Sequence, residues 1–244
     1  MCQLLGVCSN KKVDIELSLR EFRHRGKRHS HGWGFGFYDE EKKEWIVIKK
    51  PRSLSEENIE KEPFNSKSKI IIGHVRLASC GKIVHENTHP FKKEEYIFAH
   101  NGTVSQIINL PDFELKTIKP EGETDSEYAF CYILEKIKEN SERDIKEILK
   151  EEAEKIKNFG RFNFLFSDGN ILYAYGDDSL YFCKRKFPFG YVKLKDDQFK
   201  IDLGGIKAKD EKAIIVATEP LTENEKWIKI SGLKIFKDGE VLAK

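Results

Sequence analysis

The chain opens with Met1-Cys2-Gln3-Leu4-Leu5-Gly6-Val7, in which a cysteine directly follows the initiator methionine. Removal of that methionine would leave Cys2 with two reactive groups, a thiol and a free α-amine. A protein α-amine titrates near ~7.7–8.0, so close to neutral pH it can accept the proton of a nucleophile. Cysteines also occur at this position without a function, so the rest of the chain has to decide between the two interpretations.

Hydrophobic patterning predicts many strands and a central pair of helices. Residues 3–7 form a short apolar strand that would hold Cys2 at the edge of a packed sheet. Further strands are expected over 33–38, 45–48, 69–77, 96–99, 162–166, 171–175, 180–183, 213–217, 227–230 and 233–236, and helices over 13–23, over 124–137 and from the 139–141 break to about 158. Residues 50–68 are a polar connection. No repeat or domain boundary is evident, so we expect a single domain over residues 1–244.

The composition indicates a globular protein with a balanced surface charge. Of the 244 residues, 39% are hydrophobic, and 43 basic side chains oppose 41 acidic ones for a net charge of +2. Such a balance does not by itself imply nucleic acid. The basic segment 22–31 is interpreted as a solvated loop, because no aromatic stacking pattern interleaves it.

Cysteine usage indicates a reducing compartment. The five cysteines are few, odd in number and without C-x-x-C spacing: Cys2, Cys8, Cys80, Cys131 and Cys183. This pattern favours free thiols over a disulfide framework or a zinc site. No charged-then-apolar leader precedes Cys2, and no apolar run approaches ~18 residues. We therefore expect a soluble, cytoplasmic protein without a membrane or metal partner.

Three segments carry candidate binding chemistry, each with an alternative interpretation. Gly73-His74-Val75-Arg76 ends a buried strand on an arginine, which needs either a substrate carboxylate or an internal Asp or Glu. His100-Asn101-Gly102 is either a hairpin turn or an oxyanion hole built from the Asn amide and the Gly backbone N–H. In Gly122-Glu123-Thr124-Asp125-Ser126-Glu127, the acidic residues suit a helix N-terminus, and Asp125 can also face a substrate amine.

Together these segments resemble the class II glutamine amidotransferases, a branch of the N-terminal nucleophile hydrolases. The resemblance runs from Cys2 to about residue 134 and keeps the family's motif order. Its parts are Cys2, His24-Arg25-Gly26 with Gly32-Trp33-Gly34, Gly73-His74-Val75-Arg76, His100-Asn101-Gly102 and Gly122 to Glu127, with 87–91 similar to the small stand-alone members. Two positions depart from the family pattern. His31 stands where many members have an acidic residue, and in Arg76-Leu77-Ala78-Ser79-Cys80-Gly81 a cysteine replaces a histidine while Ser79 keeps a hydroxyl.

The resemblance implies an α+β fold, the four-layer αββα sandwich with two antiparallel sheets between helical layers. It implies that Cys2 attacks the side-chain amide of glutamine, with Asn101 and Gly102 stabilising the oxyanion. Arg76 and Asp125 would hold the α-carboxylate and α-amino group, with Ser79, His100 and Arg25 as further substrate-binding residues. No metal or organic cofactor is implied.

The destination of the ammonia is open, because the amidase accounts for nearly the whole chain. The first hypothesis is a glutaminase or stand-alone amidotransferase that works with a separate acceptor enzyme. The second is a hydrolase of another γ-glutamyl amide, and the third is a non-catalytic binding or regulatory protein that retains the pocket.

Overall fold

A computed structural model describes residues 2–58, 64 and 66–242 of the protein. Met1, whose removal is required by our interpretation of Cys2, lies outside the described residues, as do residues 59–63 of the predicted polar connection, residue 65 and residues 243–244.

The described residues form fifteen strands and three α-helices. The strands are β1 (Gln3–Val13), β2 (Gly32–Asp39), β3 (Glu44–Lys50), β4 (Ser68–Arg76), β5 (Phe91–Lys93), β6 (Tyr96–Thr103), β7 (Arg161–Ser167), β8 (Leu172–Gly176), β9 (Tyr181–Lys186), β10 (Tyr191–Lys193), β11 (Lys200–Asp202), β12 (Lys212–Ala217), β13 (Ile228–Lys229), β14 (Gly232–Lys237) and β15 (Glu240–Val241). The helices are α1 (Glu16–Gly26), α2 (Asp125–Glu139) and α3 (Ile145–Ile156). None of the helices in the described ranges is long and apolar enough to cross a bilayer.

Two large sheets dominate the architecture. The first sheet has the strand order β13-β9-β12-β1-β4-β2-β3, and the second has the order β15-β14-β8-β7-β6-β5. Every pairing described within them is antiparallel. A separate small hairpin pairs β10 with β11.

Three buried apolar layers alternate with the secondary structure. The first packs Leu19 and Phe22 of α1 against one face of the first sheet. The second fills the space between the sheets, where Leu4 and Ile72 meet Leu165. The third packs α2 and α3 against the outer face of the second sheet. This order of helix, sheet, sheet and helices confirms the predicted α+β fold, an αββα sandwich.

The position of β1 corrects one expectation. We predicted that the first strand would hold Cys2 at a sheet edge, but β1 pairs with β12 on one side and with β4 on the other, so it is a central strand. Cys2 lies at its N-terminal end. Alternate residues of a strand face opposite sides of the sheet, so Cys2 shares the inner side of β1 with Leu4, whereas Gln3 faces α1. The nucleophile is thereby held at the end of the layer between the sheets.

Two other segments differ from the sequence prediction. The first strand continues to Val13, and α1 begins only at Glu16, because β4 and β12 pair with residues beyond 7 despite their polar side chains. The Asn-Gly pair at 101–102 is no hairpin turn. It lies inside β6, where Asn101 pairs with Asn163 and Gly102 with Phe162 of β7.

Candidate active site

Cys2 lies beside the segment that leaves β4. Its Sγ is 3.4 Å from the backbone N–H of Leu77, which donates to it, and 3.5 Å from the carbonyl oxygen of the same residue. Burial raises the pKa of the Cys2 thiol, and the hydrogen bond from Leu77 and the charge of Arg76 oppose this rise without cancelling it. Cys2 is therefore protonated at neutral pH, and an attack by its sulfur requires a group that removes the proton.

Arg76 ends β4 with its guanidinium directed into the turn that follows. Its Nη1 donates to the carbonyl oxygen of Lys82 at 2.9 Å, and its Nη2 donates to the carbonyl oxygens of Cys80 at 2.7 Å and Gly81 at 3.3 Å. No carboxylate among the described residues forms an ion pair with this side chain, which is 2% exposed. The internal salt bridge, one of the two alternatives that the sequence allowed for Arg76, is therefore not formed. Neutral backbone carbonyl oxygens accept the hydrogen bonds of the guanidinium instead.

Asp125 begins α2 and is also buried. Its carboxylate accepts from the backbone N–H of Val104 at 2.6 Å and from that of Ser126 at 2.9 Å. The helix is capped by Thr124, whose hydroxyl accepts from the N–H of Glu127 at 3.2 Å, which agrees with the helix N-terminus predicted for this segment. Capping is therefore performed by Thr124, which leaves the carboxylate of Asp125 to face the neighbouring cavity.

Asn101 and Gly102 are placed by the pairing of β6 with β7. The Nδ2 group of Asn101 lies 3.4 Å from the hydroxyl of Thr218, and its Oδ1 is buried without a hydrogen-bond partner among the described residues. A Cβ at position 102 would collide with the carbonyl oxygen of Arg161, so only glycine fits there. Strand β6 thus places the side-chain amide of Asn101 and the backbone of Gly102, which carries no side chain, next to the cavity that contains Cys2.

One small cavity brings most of the predicted residues together. Its walls include the predicted nucleophile, both predicted charge-binding residues and three of the other predicted site residues: Cys2, Arg76, Asp125, Ser79, His100 and Gly102. A cation and an anion thus border the same small space as a thiol. Asn101 borders the adjoining cavity, which also reaches Cys2 and Gly102.

Comparison with known proteins agrees with this geometry. Residues 1–244 match the family described as class II glutamine amidotransferases. This chain belongs to that family. An uncharacterised protein of Methanocaldococcus jannaschii is 42% identical over 257 residues, which cover 99% of this chain and 71% of that protein. YafJ of Escherichia coli K12, provisionally named a glutamine amidotransferase, is 34% identical over 245 residues, with 94% of each chain covered.

Solved structures share the fold of this class II amidotransferase. A Pseudomonas aeruginosa protein, described as a glutamine amidotransferase by inference, is similar with a TM-score of 0.72 and 28% identity over 100% of both chains. Glutamine phosphoribosylpyrophosphate amidotransferase of Bacillus subtilis is 17% identical with a TM-score of 0.64, over 100% of this chain and 49% of that one. At that identity the likeness shows the fold alone.

Burial keeps two histidines near the site, His74 and His100, in the neutral form. Burial lowers the pKa of His100, and burial together with the charge of Arg76 lowers the pKa of His74 to about 3. The Nε2 atom of His100 faces the carbonyl oxygen of Arg161 at 3.2 Å, so it carries the proton, and Nδ1 faces the hydroxyl of Ser126 at 2.8 Å. Neither nitrogen of His100 is available as a base for Cys2, and His74 is absent from the described walls of the cavity.

Arg25 is the one predicted residue that the structure places elsewhere. Its guanidinium donates to the side chain of Gln3 at 2.9 Å and to the carbonyl oxygens of Glu219 at 3.1 Å and Pro220 at 2.7 Å. Among the described residues it borders neither cavity that contains Cys2. Arg25 therefore anchors the residue next to Cys2. Glu21 lies 3.6 Å from the guanidinium of Arg25 and is buried, and this burial raises the pKa of the Glu21 carboxyl to about 7.

His31 and Cys80, the two departures from the family pattern, both belong to the segment around the cavity. The Nδ1 atom of His31 accepts from the backbone N–H of Ala78 at 2.9 Å. The backbone N–H of His31 donates to the carbonyl oxygen of Arg76. His31 thus ties the 77–79 segment to the start of β2. Cys80 borders the cavity and offers Arg76 its backbone carbonyl rather than its side chain.

Several site residues were missed in the sequence analysis. Thr124, Ser126 and His89 border the cavity and lie inside quoted motifs, but none of them was predicted as a site residue. Thr218 accepts from the backbone N–H of Leu4 at 2.9 Å and faces Asn101. No motif marks Thr218, because only the pairing of β1 with β12 brings it next to Leu4 and Asn101.

Proposed function

We propose that this protein hydrolyses the side-chain amide of glutamine to glutamate and ammonia through a thioester on Cys2. The observation that carries the proposal is the shared cavity, in which a buried guanidinium and a buried carboxylate lie on the same walls as the Cys2 thiol. Opposite charges on the walls of a small cavity match the α-carboxylate and α-amino group of an amino acid. With those two groups bound, the side-chain amide of glutamine would be the part that meets the thiol.

Binding of the α-carboxylate changes the contacts of Arg76. In the present structure three backbone carbonyls accept from its guanidinium. A carboxylate forms stronger, charge-assisted bonds with a guanidinium than neutral carbonyls do, so it can displace some of them. Since these carbonyls belong to Cys80, Gly81 and Lys82, substrate binding and rearrangement of the 80–82 turn are coupled.

The chemistry proceeds in two stages. The Cys2 sulfur adds to the amide carbonyl while the α-amine of the same residue takes up the thiol proton, directly or through a water. Asn101 and the N–H of Gly102 donate to the oxyanion, and ammonia leaves with a proton returned by the amine. Water then hydrolyses the γ-glutamyl thioester and releases glutamate, which restores the thiol.

The raised pKa of the Cys2 thiol supports the proposal that a neighbouring base takes up the thiol proton. A thiol that is protonated at neutral pH must lose its proton as the S–C bond forms. His100 has both ring nitrogens engaged, so it cannot serve without breaking a hydrogen bond. His89 also borders the cavity, but burial lowers the pKa of its imidazole well below its ordinary value, which makes it a weak base. The base in this proposal is therefore the α-amine of Cys2, once Met1 has been removed.

We propose that a separate enzyme accepts the ammonia and that the protein works in the reducing cytoplasm. All five cysteines are free thiols in the structure. The proposed reaction uses side chains, the α-amine and water alone.

The experiment that tests this function is incubation of purified protein with glutamine, followed by assays for glutamate and ammonia. We expect both products in equal amounts. Calorimetry with glutamine is run alongside the assay. Binding of glutamine without release of either product would favour the third hypothesis, a non-catalytic binding or regulatory protein.

Replacement of Asn101 by alanine should lower kcat for glutamine by roughly 10²–10³-fold with little change in KM, because an oxyanion donor acts mainly in the transition state. The matched control is Asn158→Ala, which removes an exposed amide that bonds the carbonyl oxygen of Glu154. Steady-state kinetics on both variants check the prediction. A rise in KM at constant kcat would place Asn101 in ground-state binding.

Replacement of Arg76 by lysine should raise KM for glutamine by roughly 10–100-fold, since an ammonium cannot make the forked carboxylate contact and a hydrogen bond to a charged group contributes roughly 1.5–3 kcal/mol. The control is Arg143→Lys, at an exposed arginine that pairs with Glu151. Thermal melts accompany the kinetics. A lower Tm with an unchanged KM would show that Arg76 only holds the 80–82 turn.

A further inference from the structure

Two cysteines border the cavity that contains the proposed nucleophile. Cys2 and Cys80 are partly exposed and both belong to its walls, whereas Cys8, Cys131 and Cys183 are buried and lie outside it. The proposed reaction uses Cys2 and leaves the thiol of Cys80 without a role. A second thiol beside a reactive cysteine is the usual arrangement of a redox-sensitive site, in which one cysteine resolves the oxidised form of the other.

The backbone that leads to Cys80 turns back on itself. The Sγ atom of Cys2 lies 3.4 Å from the backbone nitrogen of Leu77, and Cys80 comes three residues after Leu77. Three residues span about 10 Å at most when fully extended. The segment is not extended here, because the carbonyl oxygen of Cys80 accepts from Nη2 of Arg76 at 2.7 Å. The segment therefore curls around the Arg76 guanidinium, which keeps Cys80 close to the contact between Leu77 and Cys2.

Both thiols also lie around one cation. Burial lowers the pKa of the Arg76 guanidinium, and the charges that Cys2 and Cys80 carry when ionised oppose this change more strongly than the charge of Asp125 does. Because the interaction between charges weakens with distance, both sulfurs lie near the guanidinium. A neighbouring arginine favours the thiolate, which is the reactive form of cysteine.

The turn that carries Cys80 can adjust without loss of regular structure. Residues 77–90 contain no strand or α-helix, and Arg76 holds the turn by hydrogen bonds to three neutral carbonyl oxygens. Bonds of this kind are weaker than charge-assisted ones, so they exchange readily. A disulfide requires Cα atoms about 4.4–6.8 Å apart. Movement of this turn supplies the approach that the bond between Cys2 and Cys80 needs.

We propose that Cys2 and Cys80 form a reversible disulfide when the protein meets hydrogen peroxide, and that this bond silences the nucleophile and protects it from irreversible oxidation. One thiolate attacks the peroxide, an S–O bond forms as the O–O bond breaks, and water leaves. The second thiol attacks the resulting sulfenic acid, the S–S bond forms as the S–O bond breaks, and a second water leaves. The two thiols together lose two electrons and two protons, and the peroxide is reduced to two waters.

The inference depends on the residue that this chain has at position 80, where a cysteine stands in place of the family's histidine. In a reducing compartment, disulfides are usually transient and redox-sensing. The free thiols of Cys2 and Cys80 in the structure are the reduced state of such a pair. The disulfide goes beyond the proposed function, because it forms whether or not glutamine is the substrate.

The test treats the reduced protein with hydrogen peroxide. The mass of the intact chain, a peptide map prepared without reductant and the release of glutamate from glutamine are followed together. We expect a loss of two hydrogen atoms, a peptide pair that joins Cys2 to Cys80, and a loss of activity that dithiothreitol reverses. A disulfide between other cysteines or between two chains, or oxygen added to Cys2 without any disulfide, would overturn the proposal. The mass readout does not use the glutaminase reaction, so failure of the proposed function leaves this test intact.

Cys80→Ser removes the second thiol, and Cys131→Ala is the matched control because it removes a buried cysteine outside the cavity. Each variant is compared with its own untreated activity, since Cys80 borders the cavity. After peroxide and then dithiothreitol, the recovered fraction of activity in Cys80→Ser should be about tenfold lower than in the wild type, because Cys2 proceeds to the sulfinic and sulfonic acids. Cys131→Ala should recover as the wild type does.

Thermal melts confirm that each variant folds. If untreated Cys80→Ser is inactive, the oxygen atoms added to Cys2, counted by mass in the same samples, decide instead of activity. Equal recovery in Cys80→Ser and the wild type, or equal addition of oxygen to Cys2 in both, would contradict a protective role of Cys80.

Discussion

Replacement of Cys2 by alanine should lower kcat for glutamine by about 10⁴-fold or more, the range seen when the nucleophile of a covalent mechanism is removed. Of the other four cysteines, Cys80 alone borders the same cavity, and it has no α-amine of its own to take up the thiol proton. Cys8 and Cys183 are each 1% exposed, burial raises the pKa of Cys8 to about 11, and Cys131 is buried on α2. The prediction is checked by steady-state assays of glutamate release.

The matched control for this prediction is Cys8→Ala. Cys8 lies on the same strand and faces the same layer between the sheets, but it is outside both cavities that contain Cys2. Its replacement should cost stability through lost packing and leave most of the activity. Equal activity in the wild type and in Cys2→Ala would exclude Cys2 as the nucleophile.

A peptide extension ahead of Met1 should lower kcat by roughly 10²–10⁴-fold, the usual contribution of a general base. The extension converts the α-amine of Cys2 into an amide, which has no useful basicity, while the thiol is retained. A mechanism with His100 as the base would survive the change. Turnover is compared between this fusion and one placed after Lys244, at equal folded concentration.

Steric blocking by the extension could imitate the loss of the base. A cleavable extension separates the two effects, because proteolysis that leaves a single residue ahead of Cys2 removes the bulk and keeps the amide. We expect this short form to stay inactive, and cleavage that exposes Cys2 itself to restore turnover. Recovery of activity in the short form would show that bulk alone was responsible.

The motifs could be predicted from the sequence because each combines a local backbone pattern with a charge. Arg76 at the end of an apolar strand, Asp125 behind a capping threonine and glycine at 102 were all predicted as site residues, and all border the cavities around Cys2. The layered fold followed from the family resemblance rather than from strand patterns. Those patterns could not show that β1 is central or that it continues to Val13.

Long-range pairing placed the residues that the sequence did not mark. Thr218 reaches Asn101 through the β1–β12 pairing, and Arg161 reaches the adjoining cavity beside Cys2 through the β6–β7 pairing. Arg25 was misplaced for the same reason. Its motif resembles a substrate loop, but the fold directs the guanidinium to Gln3 and to the carbonyl oxygens of Glu219 and Pro220. Sequence spacing carries no information about contacts that two distant strands create.

The most direct test of the mechanism is mass spectrometry of the active protein after reaction with a diazoketone analogue of glutamine, which alkylates an attacking thiol and loses nitrogen gas. Activity is followed in the same samples. We predict that the chain begins at Cys2 and that one adduct, on Cys2, accumulates in proportion to the activity lost. A fully active protein that retains Met1, or inactivation by an adduct on another residue, would contradict an N-terminal cysteine nucleophile.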